Sequence, residues 1–208
     1  MDGLARRESA RRFLDAHQTV AIAHPGGTLL DHLLRTEAQL KEWDVGDDLT
    51  LAGLCHATYG TDGFARALID PSARVELVAT IGSASEAIVY RYASCDRSVL
   101  YAELGVVANP QFRDRFTGEH MALGVPESRA FVTLTVANEL DVMRANPTLA
   151  AQHGPALATL FARCEHLMPF AAVDAYRTVL GSGLRGSHLV AELPHDAING
   201  DADAAGTR

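Results

Sequence analysis

Apolar residues recur along this chain at helical spacing in one segment after another. Leu4, Ala5, Ala10, Phe13, Leu14 and Ala16 stand among charges and predict a helix over 4–17. Residues 19–24 are short and apolar, and Pro25-Gly26-Gly27 then breaks the chain. Thr28 has the side chain of an N-cap, and the apolar positions 29, 30, 33, 34, 40 and 43 after it predict an amphipathic helix over 29–43. A polar turn at 44–48 follows. Leu49, Leu51, Ala52, Leu54 and Cys55 then form a nearly unbroken apolar run that ends at His56, the pattern of a helix buried on all sides.

Beyond a Gly-rich loop at 59–63, the pattern predicts a short helix over 64–69. Asp70-Pro71-Ser72 opens a longer helix through Arg74, Val75, Val78, Ile81, Ile88 and Val89, with Gly82 inside it as a place for close packing or a bend. Residues 93–118 carry a weaker signal: a helical or irregular stretch at 98–107 and a turn at Asn109-Pro110. A strong helix covers 127–144 and ends at Asn146-Pro147. Further helices are expected over 155–167 and from Pro169 through Leu180. Few segments look like strands, so the expected class is all-α, a compact helical bundle. Residues 1–181 form one expected domain, and the polar 182–208 a partly disordered tail.

Composition agrees with a globular chain. Of 208 residues 48% are hydrophobic and 21% charged, and the formal net charge of −8 makes nucleic acid or an anionic membrane a poor partner. Arg6, Arg7, Arg11 and Arg12 are the densest basic stretch, and they sit among Glu8 and Asp15 as a solvated face would. No apolar run is long enough to span a bilayer, and the first residues lack the apolar core of a signal peptide. Cys55, Cys95 and Cys164 are odd in number and far apart, which suits a reducing cytoplasm. Cys55 reads as a small buried hydrophobe.

The chemistry is expected to gather on histidine. Of nine histidines, His24, His32 and His56 lie close together in the sequence, at helix faces or ends. Twenty-four residues separate His32 from His56, one helix, a turn and a second helix, so two antiparallel helices can bring both imidazoles together. Neutral imidazole ligates zinc, iron, copper or nickel. The plain alternative is that each ring is hydrogen-bonded inside a helical core. His120, His153, His166, His188 and His195 stand in polar contexts and are expected mostly at the surface.

His32, the spacing to Leu51-Ala-Gly-Leu-Cys-His56, and the later Ala137-Asn-Glu-Leu-Asp141 together resemble the HD-domain superfamily. The resemblance is carried by residues 24–60 and 130–145. It implies an all-α fold with one or two bound metals; most members are phosphohydrolases and a minority are di-iron oxygenases. The chain departs from the pattern twice: Ala57 stands where the Asp of the His-Asp pair is expected, and Asn138 where the later Asp is. Without those carboxylates two-metal phosphohydrolase chemistry is not expected. Imidazoles plus one carboxylate from elsewhere suit a mononuclear iron with open positions.

Glu86, in a helix otherwise of apolar and small residues, is the first candidate for that carboxylate, followed by Asp31 and Glu139. Tyr59 just beyond His56 is a candidate acid, base or hydrogen-bond donor. Arg74, Arg97 and Asn138 are candidate substrate contacts. No Gly-x-x-x-x-Gly-Lys, Gly-x-Gly-x-x-Gly or Gly-x-Ser-x-Gly motif occurs. The expected function is therefore a small-molecule enzyme, with His24, Tyr59 and Glu86 in catalysis and His32, His56, His24 and Glu86 as ligands of a divalent transition metal, iron first. Its substrate would be a small polar metabolite, and an Ala- and Leu-rich helical domain is compatible with a homodimer. The alternatives are a metal-free His/Tyr acid–base enzyme (a lyase or isomerase) and a non-catalytic ligand-binding or regulatory protein.

Overall fold

Helix caps and apolar stripes set the architecture. The computed structural model describes residues 3–181; the tail expected over 182–208 lies outside them. Helix α1 spans Gly3–Ala16 and α2 spans Leu29–Glu42. Between them the Pro25-Gly26 break is a minimal hairpin, β1 (Ala23–His24) pairing with β2 (Gly27–Thr28). Thr28 caps α2 as expected: its side chain accepts from the Asp31 N–H, and Asp31 returns a bond to the Thr28 N–H. Helix α3 (Asp47–Cys55) runs back along α2 and ends at His56.

The expected helix over 64–69 does not form. Its N–H groups turn elsewhere: those of Leu68 and Ile69 donate to the Thr58 carbonyl, and Phe64 exchanges backbone bonds with Thr61. The single helix expected from residue 70 is two, α4 (Arg74–Ile81) and α5 (Ser83–Ser94). Gly82 between them has φ of 86°, a left-handed conformation that no helix can contain and that glycine adopts freely. Helix α6 (Arg97–Glu103) is shorter than the stretch at 98–107. A second hairpin, β3 (Gln111–Arg113) with β4 (His120–Ala122), falls where the pattern was weak.

Helix α7 (Val125–Ala145) is the strong helix of the sequence. Every residue from 131 to 143 is buried, because α2, α3, α5, α8 and α9 surround it. Helix α8 (Pro147–Arg163) starts eight residues before the expected 155. Asn146 caps it, accepting from the N–H groups of Thr148 and Leu149, and Pro147 takes the first turn, where its missing N–H costs nothing. Pro155 lies inside the helix and does not begin it. Helix α9 spans Phe170–Leu180.

Among the described residues the fold is thus all-α, nine helices with two small hairpins, and no helix is long and apolar enough to cross a membrane. Two apolar clusters fill it. One gathers Phe13, Leu14, Leu29, Leu33, Leu54 and Ile81 from α1 to α4; the other gathers Leu40, Tyr92, Phe131, Leu140, Phe161 and Tyr176, largely around α7. His32 on α2 stands between Leu29 and Leu33 of the first cluster, and Asn138 on α7 between Ala137 and Leu140 of the second.

Close approach of α2 and α3 depends on Gly53. A Cβ there would stand 2.3 Å from Leu40 Cδ1, inside a fully buried part of the core. Gly53→Val is therefore expected to lower stability by about 1–3 kcal/mol through overpacking. A urea titration of both proteins checks this; an unchanged midpoint would show that the helices have room to part.

Candidate functional site

Three helices converge on one polar point. His32 comes from the first turn of α2, His56 from the residue that caps the end of α3, and Asn138 from α7. His32 Nε2 is 3.2 Å from His56 Nε2 and 3.1 Å from Asn138 Oδ1. The three residues are buried, with His32 1% exposed and His56 2%. They line a small cavity of about 20 Å³ together with Ala57, Leu29, Val142 and, on another side, His24, Thr61 and Phe64. That volume admits a single water-sized guest.

The partners of the outer ring nitrogens fix the tautomers. His32 Nδ1 is 2.7 Å from Asp141 Oδ2. A carboxylate only accepts, so this nitrogen carries the proton. His56 Nδ1 donates to the Gly53 carbonyl at 2.8 Å. With the protons at Nδ1, singly protonated rings turn two bare Nε2 lone pairs toward each other and toward the amide oxygen of Asn138. Three acceptors facing one point without a donor are unfavourable in a buried place, and a positive occupant resolves them.

Electrostatics keep His56 and His24 uncharged. Burial, and then the nearby His32, push His56 down to about 3. The same two causes push His24 down to about 4. Burial opposes ionisation of Asp141, but bonds from His32 and Arg35 outweigh it and hold the carboxyl below its ordinary range. Arg35 grips that carboxylate with two bonds, Nε to Oδ1 at 2.6 Å and Nη2 to Oδ2 at 3.0 Å.

His24 joins differently. Its ring stacks on His32 at 4.1 Å between centroids and meets the edge of Phe64, and its Nδ1 is buried without a partner. Among the described residues no three His, Cys, Asp or Glu side chains are arranged to hold a metal. The converging donors are two imidazoles and an amide.

Glu86, offered by the sequence as a ligand, is spent elsewhere. Arg74 donates to both its oxygens, at 2.7 and 2.8 Å, and Tyr59 Oη donates to Oε1 at 2.9 Å. The Arg74 guanidinium also lies 3.6 Å from the Tyr90 ring centroid. Tyr59, Glu86 and Arg74 thus form a buried clasp binding α4 to α5 and to the loop after α3. Burial and then Glu86 push the Tyr59 phenol far up, away from acid–base use. Arg97, offered as a substrate contact, is largely buried and lies 3.4 Å from Glu139 Oε1 and 3.1 Å from Tyr92 Oη. None of these four lines the cavity. His153, expected at the surface, is buried in α8, while His120 and His166 are exposed and His188 and His195 lie outside the described residues.

Asp141 entered the sequence reading only as the end of the Ala137–Asp141 motif, without a role, and Arg35 not at all, yet helical spacing carries both. Asp141 is three residues past Asn138, and Arg35 three past His32, so each lies on the same face as its neighbour one turn away.

A family model described as Domain of unknown function (DUF6817) matches residues 13–97. That span holds His24, His32 and His56 and ends before α7, which supplies Asn138 and Asp141. No curated protein and no solved structure matches the chain.

Two outcomes follow from this geometry. Glu86→Gln weakens the clasp without touching the cavity. It is expected to cost about 1–3 kcal/mol of stability and leave the His32 and His56 imidazole resonances unmoved; displaced imidazole resonances in a folded variant would return Glu86 to the site. The depressed histidines also set a pH dependence. Unfolded, each takes up a proton near its ordinary 6.5, whereas folded His24 and His56 do so only near 4 and 3. Their contribution to stability is present above about pH 6.5 and lost as the pH falls through the native values. Urea midpoints between pH 7 and 4.5 should fall steeply in the wild type and less steeply in His24→Asn.

Proposed function

We propose that this protein is a metal-dependent enzyme acting on a small polar metabolite, with one divalent transition-metal ion held by His32 Nε2, His56 Nε2 and Asn138 Oδ1. The convergence of those three lone pairs carries the reading. Two ligands about 2.0–2.1 Å from one ion, at tetrahedral or octahedral angles, lie about 2.9–3.4 Å apart. The separations of 3.2 and 3.1 Å fall in that range. The surroundings fit as well. Asp141 behind His32 and the Gly53 carbonyl behind His56 are the second partners that metal-bound histidines use to fix tautomer and orientation. The likeness of His32, His56 and residues 137–141 to the HD-domain superfamily supports the same reading.

Such an ion, when bound, supplies a Lewis acid and an activated water. The chain's own residues do the rest. Asp141 keeps His32 in the tautomer that aims its lone pair inward. Leu29, Val142 and Ala57 keep bulk water from the donors. Beside the ion the cavity leaves room for at most one small polar atom, water or substrate, on a lining that includes His24, Thr61 and Phe64, where the free His24 Nδ1 can accept a hydrogen bond. An iron oxygenase stands further off than the sequence suggested, since Glu86 is bound elsewhere and Asp141 lies behind His32, which leaves two imidazoles and a neutral amide as donors. Zinc, copper or nickel suits that set as well as iron.

One observation favours a metal-free reading. A second proton on His32 Nε2 also resolves the three acceptors, and Asp141 then balances an imidazolium able to serve as a general acid. The two readings separate by metal analysis of protein purified without chelator, with His32→Ala and His56→Ala as controls. About one equivalent of metal, lost in both variants, is expected, and Asp141→Asn should weaken it about 10–100-fold. Protein that holds no metal and keeps its turnover after exhaustive chelation is the metal-free enzyme.

A further inference from the structure

We infer that Glu139 is a positioning residue, whose carboxylate turns the Asn138 amide so that its oxygen, and not its NH2, faces His32 and His56. This rests on the metal-site reading above and deepens it, because the orientation of one amide sets the sign of the charge the cavity accepts.

The two ends of an asparagine amide are nearly equal in size and opposite in hydrogen-bonding character. Facing two bare imidazole nitrogens, an amide on its own would offer its NH2 and donate. The opposite is seen: Oδ1 is 3.1 Å from His32 Nε2, and Nδ2 donates to Glu139 Oε1 at 3.1 Å. A turned amide would set its oxygen against the Glu139 oxygen, two acceptors in contact inside the core. Glu139 is 1% exposed, so no solvent relieves that contact.

Burial raises the Glu139 pKa, and Arg97 and the Asn138 amide oppose that by favouring the charged, accepting form. Arg97 Nη1 lies 3.4 Å from the same Oε1, and its Nη2 donates to Tyr92 Oη. The Tyr92 ring in turn packs against the edge of His56, at 5.6 Å between centroids. The chain of contacts runs from Arg97 to Glu139 to the Asn138 amide and so to the cavity. A cavity edged by Oδ1 attracts a cation, and the same cavity edged by NH2 repels it.

The test uses the full chain, stripped of metal, and Co²⁺ as the probe, followed by its visible absorption. Glu139→Met removes the acceptor and frees the amide; it is expected to weaken Co²⁺ binding about tenfold or more, the scale of an outer-shell loss. Adding Asn138→Asp to that variant should restore binding, because a carboxylate presents oxygen whichever way it turns. A merely structural role for Glu139 would not be repaired by that change. In the metal-free proteins, ¹⁵N spectra of the imidazoles should show Nε2 of His32 gaining a hydrogen bond in Glu139→Met. If Glu139→Met does not fold with Arg97 unpaired, Arg97→Met/Glu139→Met removes both charges and is read in the same way. Wild-type Co²⁺ affinity with unmoved ring nitrogens in the variant overturns the inference. If the wild type itself takes up no Co²⁺, the metal reading fails, and the ring nitrogens alone decide: a shift supports the role of Glu139, and none overturns it.

Discussion

The carboxylate of Asp141 holds the polar cluster together. It accepts from His32 Nδ1 on one side and from Arg35 on the other, so one group joins α7 to α2 and selects a tautomer. A buried carboxylate without both partners would cost several kcal/mol. With them it stays charged and aims the second nitrogen of His32 inward. Much else depends on it: the meeting of Nε2 with His56 and Asn138, the stacking surface offered to His24, and the contact of the two apolar clusters across a polar seam.

Polar chemistry in this fold comes in separate parcels. Glu86 with Arg74 and Tyr59 is one, Glu139 with Arg97 and Tyr92 a second, and Asp141 with Arg35 and His32 a third. In each an arginine balances a buried carboxylate. The first closes a clasp between helices and a loop, outside the lining of the cavity. The second and third bracket Asn138 on α7 and back the donors that face the cavity.

The helical class was legible because apolar spacing is a local property, and Thr28 announced the start of α2 by its side chain alone. The His32–His56 pair was legible for the same reason, since a helix, a turn and a helix fix its geometry. Asn138 was reached only through the family resemblance. Glu86 misled because an acidic residue among small ones looks the same whether an arginine or an ion waits for it. Arg74, which answers that question, is on a different helix. The break at Gly82 was half visible: the glycine was noticed, but its left-handed backbone is a consequence of how α4 and α5 pack. Residues 64–69 had helical composition, and their N–H groups were claimed by the Thr58 and Thr61 carbonyls, a matter of tertiary context.

The separations along the chain give the seam a kinetic meaning. His32 and His56 are 24 residues apart, whereas His32 and Asp141 are 109 apart. Closing the longer loop is entropically dearer, and contacts of that span form late when folding proceeds from local structure. The α2–α3 hairpin can assemble with its imidazoles still wet, and the arrival of α7 then seals them and delivers Asn138 and Asp141 together. A one-residue slip of α7 would rotate both side chains away and leave three unsatisfied groups in the core. The polar seam thus penalises helix registers that an apolar interface alone would tolerate.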